Sequence, residues 1–382
     1  MKYHAVLGID CGVDRSAVAF WDQDRSETAV IPSAAGESTW PSVVALDEEG
    51  NIVVGLPALQ QNGPAVAGIA RPMGRDAQRV SLGGRDYQPL EITAIILKEL
   101  QRQAGDFLGE PLRDAVIAVP WWFGAAQYAA MEDAAGIAQL KARELMTELG
   151  AASVFFGAGQ VEDEQRHRYL VFDLGRSELV VWIFDTCRSQ VCVLAAGGGR
   201  GLGGDDFNDR IAEWALEQIH ERTFYQYGVD LRDDQGVRAR LKERAEKCKC
   251  ELSEANSAVL RLPCSPLAPD ISLIIRRSFF NSLIEDLLRK SLDIVAEVID
   301  RVDGWQRMSK QSVEQVLLLG GSSRIPRLRE LLAGYFDHLQ EGDIRWSGVR
   351  LEEAAARGAA LVARKHTPPA DLSGDGSSGP VL

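Results

Sequence analysis

One short pattern occurs twice in the chain and constrains the fold more than any other feature. It is an apolar strand that ends in an aspartate, followed by a glycine turn and a second apolar strand. The first copy, VLGIDCGVDRS, contains Asp10 and Gly12, and the second, YLVFDLG, contains Asp173 and Gly175. A carboxylate beside backbone N–H groups in such a turn suits a phosphate and its metal ion. The repeat predicts two similar lobes that face each other across a cleft, each contributing one carboxylate.

The length and composition indicate the class of protein. A chain of 382 residues with 46% hydrophobic and 25% charged residues is typical of a globular protein with two cores. The net charge of −13 disfavours nucleic acid or an anionic membrane as the main partner, because the field of the protein repels both. The six cysteines form no CxxC pair, and the sequence shows neither an export signal nor a bilayer-spanning apolar run. We therefore expect a reduced, cytoplasmic protein.

Hydrophobic periodicity predicts the elements of the first half of the chain. They are a β-hairpin within residues 37–55, a helix over 90–105, a strand over 115–119 followed by an alanine-rich helix, and a small-residue helix that starts near Glu148. A strand, a short loop and a helix form a βα unit of a layered α/β fold.

The second half begins with the second hairpin and a glycine-dense segment, residues 197–207. This segment either lets backbone approach a ligand or forms a mobile loop. The periodicity then predicts helical structure over 208–253, strands over 258–262 and 271–275, a helix over 281–302, a strand over 316–319, and a last helix over 351–364. Residues 366–382 are rich in Pro, Gly and Ser, and we expect them to be a disordered tail.

Eight segments, taken in order, resemble the landmarks of the nucleotide-binding domain of the seventy-kilodalton heat-shock chaperones, the DnaK-like family of the actin-like ATPase superfamily. They are GIDCG, AVPWWF with its helix, the Glu148 helix, FDLG, GLGGDDF, RLKERAEKCKCELS, LLLGGSSRIP and EEAAARGAA. Each alone is a weak motif, but eight in order at suitable spacing are hard to obtain by chance. The resemblance covers nearly the whole chain.

The resemblance implies an α/β, actin-like ATPase fold. In this fold two lobes, each with a duplicated mixed sheet flanked by helices and a peripheral subdomain, enclose a nucleotide cleft. Lobe I is expected at residues 1–168, with its peripheral subdomain at about 36–105. Lobe II is expected at residues 169–365, with its peripheral subdomain at about 208–295.

The adenosine side of the implied site matches the family. In the family, the positions of Glu246, Lys249 and Ser253 hydrogen-bond the ribose and adenine, and the position of Arg324 stacks on the base. A solvated helix face is the alternative interpretation of the first three, which are spaced at i, i+3 and i+7. The complete set of nucleotide-binding residues implied is Gly12, Gly175, Gly203, Gly204, Glu246, Lys249, Ser253, Gly320, Gly321, Ser322 and Arg324.

The catalytic residues implied by the resemblance are Asp10, Glu148 and Asp173. Asp10 and Asp173 match the two aspartates that hold hydrated magnesium, and Glu148 matches the glutamate that helps to position the attacking water. The structural alternative is an aspartate capping a turn or a glutamate starting a helix. The implied cofactors are ATP or ADP, with Mg²⁺ as a candidate ion.

The phosphate side departs from the family. Residues 13–15, VDR, replace two threonines and a polar residue, while residues 176–178, RSE, replace two glycines and a threonine. Val180 stands where the family has an aspartate, and Ala70 stands at the catalytic lysine position, next to Arg71. The lost cation and the added carboxylates at Asp14 and Glu178 oppose phosphoryl transfer.

The departures suggest a pseudo-ATPase, a nucleotide-responsive chaperone-family switch with impaired hydrolysis that is read by a co-chaperone or client-binding protein. One compensation stays open, because Arg15, Arg71, Arg176 or Arg200 can bind phosphate in place of the lysine. A scaffold or regulator that binds nucleotide weakly or not at all is the alternative function. A kinase or filament-forming member of the superfamily is a third, but the helix ending in KCKCELS favours the chaperone branch.

Overall fold

The computed structural model describes residues 5–75, 77–157, 165–187, 190–227, 230–262, 271–306, 308–340 and 342–366. The chain divides into two compact units. Unit 1 consists of residues 1–162 together with 350–382, and unit 2 consists of residues 163–349. The predicted tail lies outside the described residues except for His366. No helix in the described ranges is long and apolar enough to cross a membrane.

The first part of unit 1 alternates strands and helices. In chain order its elements are β1 (Leu7–Cys11), β2 (Arg15–Asp22), β3 (Glu27–Val30), β4 (Trp40–Pro41), β5 (Val43–Leu46), β6 (Ile52–Val54), α1 (Leu56–Leu59), β7 (Ala65–Ala67), β8 (Val80–Leu82), β9 (Arg85–Tyr87), α2 (Pro89–Leu108), β10 (Asp114–Val119), α3 (Ala125–Ile137), β11 (Lys141–Thr147) and α4 (Glu148–Gly157).

Unit 2 and the returning C-terminal helix follow. Their elements are β12 (His167–Leu174), β13 (Glu178–Cys187), β14 (Gln190–Arg200), α5 (Gly204–Tyr227), α6 (Gln235–Glu254), β15 (Ser257–Leu262), β16 (Ile271–Arg276), α7 (Arg277–Gln306), β17 (Gln315–Leu319), α8 (Pro326–Tyr335), β18 (Ile344–Trp346) and α9 (Leu351–Ala363). Short 3-10 turns lie at Lys310–Ser312, Gly321–Arg324 and Arg364–His366.

The two units contain main sheets of the same topology. Unit 1 has the order β11-β10-β1-β2-β3, and unit 2 has the order β18-β17-β12-β13-β14. In each sheet the hairpin strands are antiparallel, and the first hairpin strand pairs in parallel with a strand much later in that unit. The duplicated sheet expected from the repeated hairpin is therefore confirmed.

The last helix, α9, belongs to unit 1, whereas the sequence analysis assigned residues 350–365 to lobe II. The helix packs against β1, β2 and α4 through small residues. A Cβ at Gly8 would overlap the backbone of Ala360, and one at Gly358 would overlap the carbonyl of Ala151. Gly8 therefore lets α9 approach β1 closely, and Gly358 lets it approach α4 closely.

Two predicted segments differ from the structure. Residues 197–200 of the glycine-dense segment belong to β14, where Gly197 and Gly198 pair with Val181 and Val180. The helical stretch 208–253 is two helices, because α5 ends at Tyr227 and α6 starts after Asp234, whose side chain accepts a 2.9 Å hydrogen bond from the Val237 amide. This aspartate is an N-cap, which starts a new helix.

Candidate nucleotide site

Asp10 lies at the end of the first hairpin strand of unit 1, opposite Ala17 of β2. Its side chain is buried, and Oδ1 has no hydrogen-bond partner in the described part of the chain. Burial, and then repulsion by Glu148 and Glu352, raises the pKa of the Asp10 carboxyl well above its usual value. A cation would offset the repulsion and the desolvation, so Asp10 fits the magnesium role implied by the sequence.

Glu148 is the first residue of α4, as the sequence predicts. Its Oε1 accepts a 3.1 Å hydrogen bond from the backbone N–H of Trp121, which follows the C-terminal end of β10. This contact holds the Glu148 carboxylate at the C-terminal end of β10, and Asp10 lies at the same end of the neighbouring strand β1. Gly12 lies in the turn after Asp10, and its carbonyl accepts a 3.1 Å hydrogen bond from the Ser42 hydroxyl.

The structure adds Glu352 to this acidic group of unit 1, a residue that the sequence analysis did not select. Glu352 lies in the first turn of α9, and burial is the main cause that raises the pKa of its carboxyl. Arg350 and Arg15 act in the opposite direction. The signal in the sequence was the pair of glutamates in EEAAARGAA, but the pattern alone does not show that Glu352, rather than Glu353, is the one near Asp10.

The acidic residues do not form a complete metal cage. Within the described ranges, no group of three or more His, Cys, Asp and Glu side chains is arranged to hold a metal ion. An ion at Asp10 would therefore need further ligands such as water or phosphate oxygens, which Mg²⁺ usually retains.

Asp173 occupies the corresponding position in unit 2. It lies on β12, opposite Val180 of β13 and beside Leu319 of β17. Gly320 follows β17 with a φ of +78°, and a Cβ there would lie 2.6 Å from Asp173 Oδ1 and overlap the Leu174 carbonyl. Glycine at this position therefore allows the turn and leaves room for the Asp173 carboxylate.

Four of the implied nucleotide residues meet in unit 2. The Gly204 amide donates a 3.0 Å hydrogen bond to the carbonyl of Gly175, which also accepts a 3.3 Å bond from the Ser322 hydroxyl. The Lys249 ammonium donates a 2.9 Å bond to the Gly204 carbonyl. A Cβ at Gly204 would lie 2.5 Å from Ser322 Oγ and 2.6 Å from Lys249 Nζ. We call Gly175, Gly204, Lys249 and Ser322 the glycine cluster.

The long helix α6 places its three expected residues differently. Lys249 is 8% exposed, and burial lowers the pKa of its ammonium. Glu246 is exposed, while the Ser253 hydroxyl donates a 3.1 Å hydrogen bond to the Lys249 carbonyl. The interpretation of all three as a solvated face is therefore wrong for Lys249, because its ammonium is directed to the glycine cluster.

Arg324 ends the 3-10 turn that starts at Gly321, and both residues are exposed. Its guanidinium carbon lies 4.1 Å from the centre of the Trp346 ring. This pair was not foreseen from the sequence. Gly203 immediately precedes α5, and its amide donates a 2.7 Å hydrogen bond to Asp206 Oδ2.

The residues that replace the family's phosphate loops form contacts within the protein. Arg176, whose side chain is 78% exposed, pairs with Asp205 at 3.2 Å, and Arg15 pairs with Glu37 at 2.6 Å. Arg15 also donates a 2.5 Å hydrogen bond to the Thr39 hydroxyl. Two of the four candidate replacements for the catalytic lysine are thus paired with carboxylates.

The lysine position itself carries no charge in this chain. Ala70 is 4% exposed and belongs to the core of unit 1, while its neighbour Arg71 is exposed. Arg200 is also exposed, at the end of β14 opposite Glu178. Within the described residues, Arg71 and Arg200 are the two of the four candidate arginines that form no ion pair with a carboxylate, and both are exposed.

Comparison with known proteins supports the family resemblance of the segments described above. The model of the Hsp70 protein family matches residues 6–82 and 69–373. The chain is 33% identical over 366 residues to the chaperone protein DnaK of Thermosipho africanus, and 34% identical over 371 residues to that of Thermotoga neapolitana. Each alignment covers 95% of this chain and 59% of the relative, so the chain spans about three-fifths of their length. The chain belongs to the Hsp70 family and corresponds to its nucleotide-binding domain, which has the actin-like ATPase fold.

Proposed function

We propose that this chain binds ADP or ATP, hydrolyses ATP slowly or not at all, and acts as a nucleotide-responsive switch of the Hsp70 type. The observation that carries the proposal is a contrast within unit 2. The glycine cluster is assembled, but the adjacent loop that would receive the phosphates carries Arg176 and Glu178 in place of residues with small or neutral side chains.

The nucleoside side supplies the groups that recognise adenosine. The polar atoms of Lys249 and Ser322 lie close to the backbone of Gly204. This close approach requires glycine, because a Cβ at position 204 would overlap both side chains. Arg324 offers a flat, delocalised cation for a purine ring. We expect these groups to provide most of the binding free energy.

The phosphate side provides less stabilisation than in the family. An active member uses a lysine to neutralise charge on the transferring phosphoryl group, and such electrostatic stabilisation is a large part of phosphoryl-transfer catalysis. Ala70 cannot supply that charge. Asp14, which is exposed in the first turn, and Glu178 place carboxylates where a polyphosphate is expected.

The buried Asp10 retains a role in this proposal. Its carboxylate would hold hydrated Mg²⁺, but with the lysine lost and carboxylates added nearby in the sequence the ion would add little to nucleotide affinity. Glu148 would orient a water molecule through the position that the Trp121 amide gives its carboxylate. These residues would support slow hydrolysis, but without a lysine at the position of Ala70 we expect no rapid turnover.

A switch requires a partner that distinguishes the nucleotide states. We propose a co-chaperone or a client-binding protein as that partner, in the cytoplasm. The names of the relatives, chaperone protein DnaK, support a role in chaperone action for this chain. The net charge of −13 supports a protein rather than a nucleic acid as partner.

The test is calorimetric titration with ATP, ADP and adenosine, with and without magnesium. We expect adenosine and ADP to bind nearly as well as ATP, and magnesium to have little effect. A strong, magnesium-dependent preference for ATP would contradict the proposal, and no binding of any of the three would favour the scaffold function instead.

A matched pair of variants shows whether the binding uses the proposed site. Arg324→Met removes the guanidinium expected under the base, whereas Arg329→Met removes an exposed arginine one turn further along, in α8. We expect only Arg324→Met to weaken adenosine binding. Equal effects of the two variants would show that the nucleoside binds elsewhere.

A further inference from the structure

The pair formed by Arg324 and Trp346 is the strongest feature that the proposed function leaves unexplained. The guanidinium carbon of Arg324 lies over the indole, 4.1 Å from its centre, which is within the range of a cation–π contact. The two residues are 22 positions apart in sequence, so this contact depends on the fold.

The backbone holds both residues at the same end of the sheet in unit 2. Trp346 is the last residue of β18 and lies opposite Leu318 of β17, which leads within two residues to Gly320. The Ser347 amide continues the pairing with a 3.0 Å hydrogen bond to the Leu318 carbonyl. The indole therefore lies on the strand that pairs with β17, and the Gly320 to Arg324 turn departs from β17.

The indole is not placed there by core packing. Trp346 is 44% exposed, although burying a tryptophan ring is usually favourable. Arg324 is exposed as well. A guanidinium is planar and has two faces, so a face-on contact with Trp346 would use one face, and the exposure of Arg324 would leave the second to a ligand.

We propose that Trp346 is a positioning residue for the purine base: it holds the Arg324 guanidinium flat, so that base, guanidinium and indole form a three-layer stack. This inference rests on the proposed function and specifies the ligand class, purine nucleosides and nucleotides. Prior stacking restricts the arginine side chain, which lowers the conformational entropy that is lost when the base binds. A purine base covers more of the guanidinium than a pyrimidine does and therefore gains more binding free energy from the stack.

The experiment combines three variants with the wild type in calorimetric titrations of ADP and CDP. Trp346→Leu removes the aromatic face, Trp346→Phe keeps one, and Trp122→Leu is a matched control at another exposed tryptophan, 39% accessible, in unit 1. Melting curves show whether each variant is folded.

We expect Trp346→Leu to weaken ADP binding about tenfold and CDP binding by less, so that the preference for the purine falls. Trp346→Phe should stay within about threefold of the wild type, and Trp122→Leu should be unchanged. In an Arg324→Met background, Trp346→Leu should have no further effect, because a residue that acts through Arg324 cannot act without it.

The outcomes separate this inference from the function on which it rests. If the wild type binds ADP and Trp346→Leu binds it equally well, or loses ADP and CDP affinity in the same proportion, the positioning role is overturned and the nucleotide-binding function stands. If Trp346→Leu weakens ADP equally in the wild type and in Arg324→Met, the role is likewise overturned. If the wild type binds no ADP, the proposed function fails, and this inference fails with it.

Discussion

The ammonium of Lys249 donates a 2.9 Å hydrogen bond to the carbonyl oxygen of Gly204. This bond joins α6 to the first residue of α5, beside the turn that contains Gly175. Burial lowers the pKa of the Lys249 ammonium, because desolvation disfavours its charged form. The nucleoside side of unit 2 is thus held by a buried polar contact whose removal can be tested.

Lys249→Met should reduce both stability and adenosine binding. The free energy of unfolding should fall by about 1–3 kcal/mol, because the loss of the hydrogen bond to the Gly204 carbonyl outweighs the desolvation of the ammonium that the substitution relieves. Adenosine affinity should fall about tenfold, which corresponds to ~1.4 kcal/mol. Chemical denaturation and calorimetry measure the two effects. Lys247→Met, which removes an exposed lysine paired with Glu243, should change stability by less than about 0.5 kcal/mol; an equal loss would refute the assignment.

Gly320→Ala should destabilise unit 2 and displace the Asp173 carboxylate. The positive φ and the overlap of a Cβ with the Leu174 carbonyl predict a loss of about 1–3 kcal/mol in denaturant unfolding. Gly321→Ala is the matched control, because a Cβ there has open space around it, and its effect should stay within about 0.5 kcal/mol. Similar losses for the two variants would show that Gly320 is not required by close packing.

Glu352→Gln should stabilise the nucleotide-free protein at neutral pH. Burial raises the pKa of the Glu352 carboxyl in the folded protein above its unfolded value of 4.5, so the charged form destabilises the fold. This cost is absent below the unfolded pKa and develops as the pH rises from there through the folded pKa. The melting temperature of the variant should therefore exceed that of the wild type at pH 7, and the difference should shrink below about pH 4.5.

A matched substitution separates burial from net charge in that experiment. Glu132→Gln, at an exposed position of α3, also removes one negative charge from the chain. The increase in melting temperature between pH 4.5 and pH 7 should be larger for Glu352→Gln than for Glu132→Gln. Equal melting curves for the two variants at pH 7 would contradict the role of burial at Glu352.

Restoring family-like residues in the second phosphate loop should favour ATP. The double change Arg176→Gly and Glu178→Thr removes a carboxylate and the side chain now paired with Asp205. We expect the affinity for ATP relative to adenosine to rise about tenfold, or ~1.4 kcal/mol, with magnesium present. Glu297→Thr, at an exposed ion pair within α7, should leave this ratio unchanged. An unchanged ratio in the double variant would mean that this loop does not face the phosphates.

The repeated Asp–Gly hairpins were visible in the sequence because local patterns determine them. Continuous apolar runs and a glycine turn define β1–β2 and β12–β13 without reference to the rest of the chain. The start of α4 at Glu148 was equally local. Helix α9 was harder to place, because its small residues predict a helix but do not show that it packs on β1.

Long-range contacts account for what the sequence did not predict. The glycines of β14 form a strand because β13 supplies their hydrogen bonds and close packing at Gly198, and neither is a property of the segment itself. The Arg324–Trp346 stack likewise depends on the pairing of β17 with β18. The proximity of Glu352 to Asp10 depends on the return of α9 to unit 1.

The rate of phosphate release from ATP tests the central claim most directly. It should be measured under steady-state conditions on the wild type, Asp10→Asn and Asp173→Asn, with ADP binding confirmed on the same samples. We expect ADP binding by the wild type together with a release rate close to that of the two variants. Turnover at a rate ordinary for the Hsp70 family that is lost in Asp10→Asn or Asp173→Asn would contradict the account.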